Sequence, residues 1–248
     1  MIEIALDAVK KAEKELLNYK DNPIILSEKK RDIKTKADLV SNKILIDSLS
    51  KTNIPLISEE IPSNFKTLPE VCWIIDPLDG TYNFSRQYPF YAISVSLWKK
   101  GTPFIGIVRD FANKKLYVSQ KENKTKLNGK EIGVSYVKLI NQATINTGFP
   151  SGFNLKKQKL QSFIKQVLAF KKVRSVGSAA IMLAQVAEGI CDVYYEREIY
   201  LWDVAAGLSL VKEAGGFIFW VHREGWKFDV IATNRYLFEE VKKNFSYD

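Results

Sequence analysis

The sequence predicts an α/β protein of layered design, α+β in character over its first half. Three observations carry this. Residues 2–19 place Ile2, Ala5, Leu6, Val9, Ala12, Leu16 and Leu17 at helical spacing. Residues 71–75 form a short, wholly apolar run of the kind that is buried on both faces of a sheet. From residue 143 onward, helical and strand-like segments alternate, which is the rhythm of α/β layering.

The first helix is amphipathic. A second starts near Ala37, where Thr35 followed three residues later by Asp38 resembles a capping box, and Leu39, Ile44, Leu45 and Leu49 supply its apolar face. Strands follow at 54–58, 71–75, 91–98, 104–108 and 116–119, each β-branched or aromatic and bounded by Gly, Pro or Asn-Lys turns. Asn128-Gly129 between Leu127 and Lys130 reads as a hairpin turn. Two helices on an antiparallel or mixed sheet result. The second half resumes as a strand at 143–147 and breaks at Gly148-Phe149-Pro150-Ser151-Gly152. Helices are then expected at 157–170, 178–188 and 203–214, and strands at 172–175, 192–195 and 217–221. No linker rich in Gly, Ser or Pro separates independent domains, so we expect two closely packed subdomains. Residues 1–140 form an α+β part and residues 141–248 an α/β part.

With 248 residues, 46% of them hydrophobic and 26% charged, the chain has the composition of a globular protein with a large core. No apolar run reaches the length of a membrane span, and the N-terminus lacks the basic-apolar order of a signal peptide. Cys72 and Cys191 lie in apolar surroundings and read as buried thiols of a reducing cytoplasm. The formal charge of +9 invites nucleic acid, but the lysines are dispersed and no zinc-finger or RNP pattern accompanies them. Nucleic acid is therefore not an expected partner. The densest cluster, Lys29-Lys30-Arg31 with Lys34 and Lys36, is either a solvated loop or a means of drawing anionic substrates to a cleft.

The chemistry concentrates in Trp73-Ile74-Ile75-Asp76-Pro77-Leu78-Asp79-Gly80-Thr81, where an apolar strand runs into two carboxylates, a glycine and a hydroxyl. Asp76 is expected at the strand's carboxyl end, where α/β sheets place their ligands, with Pro77 stopping the strand and Asp76 and Asp79 straddling a tight turn. Such a pair suits Mg²⁺, a hard cation of oxygen ligands, and Gly80-Thr81 opens a short helix whose free N–H groups favour phosphate. The plain alternative is an Asp-Pro turn with Asp79 as an N-cap. Ser58-Glu59-Glu60 ends a second apolar strand in the same way. Trp202-Asp203 begins a helix that stops at Gly215-Gly216, and on its own Asp203 reads as an N-cap. Four acids at the mouths of strands and helices converge without great cost only if cations neutralise them.

The order ISEE, WIIDPLDGTYNF, Gly177-Ser178-Ala179 and LWDVAAG resembles the inositol monophosphatase family of Mg²⁺-dependent, typically lithium-sensitive phosphatases, over nearly the whole chain. The resemblance implies the αβαβα layering of inositol monophosphatases and fructose-1,6-bisphosphatases. It implies two or three Mg²⁺ ions. Glu59, Asp76 and the Leu78 carbonyl would hold the first, and Asp76, Asp79 and Asp203 the second, with Glu59 also reaching a third. Asp38, Thr81 and Glu59 would be catalytic, with Thr81 and Asp38 orienting and deprotonating the attacking water. Phosphate would meet Gly80 and Thr81, and the leaving alcohol would meet Gly177, Ser178, Ala179, Glu196, Asp79 and Asp203. On its own, Ser178 also reads as a helix start and Glu196 as a solvated strand-end acid.

Thr147-Gly148-Phe149-Pro150 and Tyr195-Glu196 are similar to the bacterial inositol monophosphatase branch, which puts inositol-1-phosphate first among phosphate esters. Arg197 and Tyr200 depart from the commonest patterns, and a cation there would welcome a second phosphate. The alternatives are therefore 3′(2′),5′-bisphosphate nucleotidase, fructose-1,6-bisphosphatase and histidinol-phosphate phosphatase. From another class comes a regulatory binding protein, as some bacterial relatives act with transcription machinery. A homodimer is implied by the resemblance alone. His222, the only histidine, lies outside every motif and is expected to be a surface residue. Trp73, Trp98, Tyr194 and Tyr195 read as core or site-wall aromatics.

Overall fold

The computed structural model describes residues 1–29, 32–61, 64–149 and 157–245. Lys30 and Arg31 of the basic cluster and residues 150–152 of the expected break lie outside them. The chain builds five layers, α-β-α-β-α, as the resemblance implied. The first holds α1 (Ile2–Leu16) and α2 (Lys36–Leu49). Ala5, Val9, Leu16, Leu45 and Leu49 bury themselves against Trp73, Ile75, Val95, Leu97, Ile105 and Ile107 on one face of a seven-stranded sheet.

That sheet runs β3 (Leu56–Ser58), β4 (Val71–Asp79), β5 (Ala92–Lys99), β6 (Thr102–Asp110), β7 (Lys115–Gln120), β8 (Asn123–Leu127) and β9 (Lys130–Glu131), neighbours in that order. Only β3–β4 is parallel, so the sheet is mixed. Along β4 the period of two is plain, since Trp73 and Ile75 face the first helix layer while Cys72 and Ile74 face the second. The β8–β9 connection is the expected hairpin, with positive φ at both Asn128 (47°) and Gly129 (83°).

The central layer consists of α5 (Ala179–Ala187) and α6 (Leu201–Glu213), buried against both sheets. They cross so closely that a Cβ on Gly207 would lie 2.4 Å from the Leu183 Cβ, a separation only glycine permits. The second sheet has the order β11 (Lys172–Arg174), β10 (Thr144–Thr147), β12 (Val193–Tyr200), β14 (Lys227–Thr233), β13 (Phe217–His222). Phe163 and Val167 of α4 (Lys157–Val167) and Val241 of α7 (Phe238–Asn244), with the following Phe245, cover its outer face against Ile145, Val193, Tyr195 and Ile231.

Several sequence expectations need correction. Strand β4 does not stop at Pro77 but continues to Asp79. Its pairing with β5 shifts register between Asp76 and Asp79, and this bulge accommodates a proline that has no N–H to give. Asp76 and Asp79 thus flank a bulge and not a tight turn. Leu39 is exposed; Ala37, Asp38, Ser41 and Asn42 join Leu45 and Leu49 on the buried side of α2, because this end of the helix faces the site. The hairpin of β1 (Ile25–Lys29) and β2 (Asp32–Thr35), together with β8, β14 and α7, adds to the expected elements. Both cysteines are buried free thiols. His222 is exposed at the end of β13, its Nε2 2.9 Å from the Gly225 carbonyl oxygen. Among the described residues no helix is long and apolar enough to cross a membrane.

Candidate metal and phosphate site

The parallel β3–β4 pair sets Ser58 beside Ile75, and the Glu59 N–H donates to the Ile75 carbonyl at 3.3 Å, so Glu59 leaves its strand next to Asp76. The first turn of α6 brings Asp203 to the same place. One carboxylate oxygen each from Glu59, Asp76 and Asp203 lies within 4.8 Å of the others, the spacing of groups able to share a cation. Asp79 belongs to the cluster electrostatically but is anchored differently. Its Oδ2 accepts from Ser178 Oγ at 2.5 Å and from the Ala180 N–H at 2.8 Å, at the start of α5. The Asp76 Oδ1 accepts from the Leu78 N–H at 3.0 Å across the bulge.

Asp38 and Asp203 are held by the same local device. Each is the third residue of its helix and accepts from the backbone N–H of the residue before that helix. Asp203 is therefore not the N-cap that the sequence suggested; Tyr200 occupies that position. For Asp38, Thr35 donates both N–H (2.7 Å) and Oγ1 (2.6 Å) to Oδ2, leaving Oδ1 to receive Thr81 Oγ1 at 2.7 Å. Thr81 Oγ1 also lies 2.9 Å from the Leu78 carbonyl, so its one proton is placed between two acceptors. Helix α2 is tied to the strand ends by Ser41 Oγ to the Pro77 carbonyl (2.8 Å) and Ser58 Oγ to Asn42 Oδ1 (2.7 Å).

Gly80 precedes the short helix α3 (Thr81–Ser85) with φ 85°. A Cβ there would come within 2.6 Å of the Phe90 carbonyl oxygen, which fixes glycine at this position. Asn83 of α3 donates to the carbonyls of Phe90 and Val176, both at 2.7 Å, joining the Gly80-Thr81 turn to the Gly177-Ser178 turn. Ser178 is the N-cap of α5, accepting from the Ile181 N–H at 3.3 Å, and Ala179 is the first residue of that helix.

Removal from water pushes every one of these carboxyls upward, and repulsion from neighbouring acids adds to it at Asp38, Glu59, Asp76 and Asp203. Asp76 and Asp203 stand well above the usual carboxylate range. Glu59, exposed as a residue, is raised to about 8 by removal of its carboxyl from water and by Glu60, Asp38 and Asp79, against the pull of a hydrogen bond with Asp76. Asp79 is raised to about 6, burial being opposed by its Ser178 and backbone hydrogen bonds. Asp38 is raised by burial against the pull of Thr35 and Thr81. Glu60 forms an ion pair with Lys34, whose own pKa rises through that contact. Among the described residues no cation forms an ion pair with Glu59, Asp76, Asp79 or Asp203, and acids held this close fit cations, which supply the missing positive charge.

Glu196 is neither solvated nor at a strand end. It sits inside β12, 4% exposed, with its pKa pushed up to about 8 by burial and then by Asp79. Among the described residues no donor hydrogen-bonds its carboxyl. Beside it stands a group that sequence reasoning left among the wall aromatics. The Tyr194 hydroxyl is fully buried, has no hydrogen-bond partner among the described residues, and is raised by burial, with Glu196, Asp203 and Asp79 adding to the effect. Arg197 does not present a free cation to the site, since its Nε lies 3.3 Å from Asp229 Oδ2. The Tyr200 ring stacks on Trp202, with centroids 4.7 Å apart. Asp229 itself went unread because it interrupts an otherwise apolar strand.

Two named proteins are similar along most of their length. "Nus factor SuhB" of Escherichia coli (strain K12) is 33% identical over 227 residues, covering 88% of this chain and 84% of that protein. "Inositol-1-monophosphatase" of Synechocystis sp. is 32% identical over 222 residues, covering 88% and 77%. Among solved structures, the extragenic suppressor protein suhB from Bartonella henselae superposes with a TM-score of 0.86 at 28% identity, over 99% of this chain and 98% of that one. The sequence profile of the inositol monophosphatase family matches residues 1–245, and the chain belongs to that family.

Proposed function

We propose that this protein is a Mg²⁺-dependent phosphomonoester hydrolase whose first substrate is inositol-1-phosphate. Membership in a family of metal-dependent phosphomonoesterases supports the reaction class. The observation that carries the reading is the convergence of Glu59, Asp76 and Asp203, from three separate elements, within 4.8 Å. Asp79 and the Leu78 carbonyl complete the set of oxygens for two or three ions. Bound there, divalent cations would supply Lewis-acid charge for the phosphoryl oxygens and acidify the attacking water.

The chain's own residues do the rest. Thr81 Oγ1 orients the nucleophile, accepts its proton and passes its own to Asp38 Oδ1, whose burial raises its affinity for a proton. The water oxygen bonds to phosphorus as the bond to the leaving oxygen breaks, and that oxygen takes a proton from solvent. Gly80 and Thr81, opening α3, receive the phosphate. Ser178 holds Asp79 in place at the head of α5. Glu196, buried and with no donor on its carboxyl among the described residues, accepts a hydrogen bond from a substrate hydroxyl, and Asp79, Asp203 and the 177–179 turn complete the polyol wall. In this reading residues 1–140 carry most metal ligands and residues 141–248 close over the leaving group. The protein works as a cytoplasmic, lithium-sensitive homodimer.

The test is phosphate release with Mg²⁺ from inositol-1-phosphate, fructose-1,6-bisphosphate, 3′-phosphoadenosine-5′-phosphate and histidinol phosphate. A dominant kcat/KM for inositol-1-phosphate is expected; dominance of a bisphosphate moves the protein to another branch. A second reading, a regulatory binding protein, is favoured by one observation, the name "Nus factor SuhB" carried by a relative. It requires a partner that binds the inactive Asp79→Asn protein as well as the wild type, and the absence of any such partner counts against it.

A further inference from the structure

Strand β12 carries an irregularity at the edge of the site. Glu196 pairs with Val230 and pairing resumes with Ile199 opposite Phe228, so Arg197 and Glu198 together stand against the single residue Asp229. Glu198 pays for this bulge with φ 55°, a conformation that side-chain-bearing residues rarely adopt. What holds it is Asp229, which has no exposed surface. Its Oδ1 accepts the Glu198 N–H at 2.9 Å. Its Oδ2 accepts from Arg197 Nε at 3.3 Å, Arg223 Nε at 2.9 Å and Arg223 Nη2 at 2.5 Å. A buried carboxylate with two guanidinium partners and a backbone N–H is well satisfied, and each bond ties β12, β14 and the end of β13 to the bulge.

The residue immediately before the bulge is Glu196. Its carboxyl is pressed against Gly148, where a Cβ would come within 2.7 Å of Glu196 Oε1. A side chain confined this tightly follows its backbone. Loss of the bulge would shift the pairing by one residue, and such a slip exchanges the faces of a strand. We propose that Asp229 is a positioning residue for leaving-group recognition, which pins the Arg197–Glu198 bulge and so fixes where Glu196 offers its carboxyl. Asp229 touches no reacting atom. The inference rests on the reading of Glu196 as the acceptor of a substrate hydroxyl.

The experiment compares inositol-1-phosphate with p-nitrophenyl phosphate, whose leaving group has no aliphatic hydroxyls, at saturating Mg²⁺. Asp229→Asn is expected to lower kcat/KM for inositol-1-phosphate by about 10–100-fold, mainly through KM, and to change p-nitrophenyl phosphate hydrolysis by less than about threefold. Combined with Glu196→Gln it should cost inositol-1-phosphate turnover no more than Glu196→Gln alone, because the two act through one contact. Equal losses on both substrates, or losses that multiply in the double variant, overturn the proposal. Should Asp229→Asn fail to fold, Arg197→Ala keeps Arg223 and the Glu198 N–H on Asp229; it is expected to lose selectivity in the same direction by about threefold or more, and unchanged selectivity overturns the proposal. Wild-type protein that hydrolyses neither substrate would instead sink the phosphatase reading, and this inference with it.

Discussion

Thr81 Oγ1 lies 2.7 Å from Asp38 Oδ1, although the two residues belong to different helices and Asp38 is also engaged at the start of its own. Asp38 thus uses one oxygen for the fold and the other for Thr81. Thr81→Ala removes only the second function. It should lower kcat by about 10²–10⁴-fold, the usual worth of a positioned proton-transfer group, while leaving the urea midpoint near the wild-type value. Asp38→Ala should show the same kinetic loss plus about 1 kcal/mol of destabilisation from the lost cap. Thr81→Ala with wild-type kcat would remove Thr81 from the proton path.

The crowding of Glu59, Asp76, Asp79 and Asp203 predicts opposite effects of one substitution with and without metal. Asp76→Asn relieves repulsion, so without Mg²⁺ the variant should melt at or above the wild-type temperature. With Mg²⁺ at a hundredfold excess over its Kd, the wild type should gain about 2.7 kcal/mol that the variant lacks. A variant that keeps the full Mg²⁺-dependent shift would show that the ions bind elsewhere.

Acidity gives a pH signature with a definite sign. Burial pushes the carboxyls of Glu196 and Glu59 up to about 8 and that of Asp79 up to about 6, above the ordinary 4.5 of a glutamate and 3.8 of an aspartate. The folded state therefore binds more protons than the unfolded state between these limits, and stability falls as pH rises. In EDTA the Tm should decline between about pH 5 and pH 8. Added Mg²⁺ should flatten that decline, because cations replace the protons on the ligand carboxylates. A metal-free Tm that rises over this interval would contradict the burial assigned to these acids.

Packing in the central helix layer supplies a prediction independent of chemistry. Gly207→Val would drive a side chain into Leu183, which a Cβ already meets at 2.4 Å. A cost of about 1–3 kcal/mol is expected, typical of overpacking, measured by urea unfolding and equal with and without Mg²⁺. An unchanged midpoint would mean that α5 and α6 can move apart freely.

Where chain-local signals existed, the sequence was explicit. Apolar runs ending in Glu59 and Asp76, the Thr35–Asp38 cap and the Asn128-Gly129 turn all rest on neighbours in the chain, and so they could be read. Pro77 misled because its bulge is a property of pairing with β5, which the sequence of β4 does not contain. Strand β14 was missed for a related reason. Asp229 breaks its apolar pattern, and the Arg197 and Arg223 side chains that neutralise it lie outside that strand. Glu196 could be read from sequence either as a solvated strand-end acid or as a ligand, because its burial against Gly148 comes from a part of the chain far from β12 in sequence. The acids could be listed from sequence, but only the fold sets Asp79 on Ser178 and Ala180, apart from the close trio of Glu59, Asp76 and Asp203.

The most direct test of the central claim is phosphate release from inositol-1-phosphate by wild-type and Asp76→Asn protein as Mg²⁺ is titrated from zero. Release that requires Mg²⁺ in the wild type and is abolished in a folded Asp76→Asn variant is the predicted result. Release that is independent of Mg²⁺, or that survives the substitution in full, would contradict it.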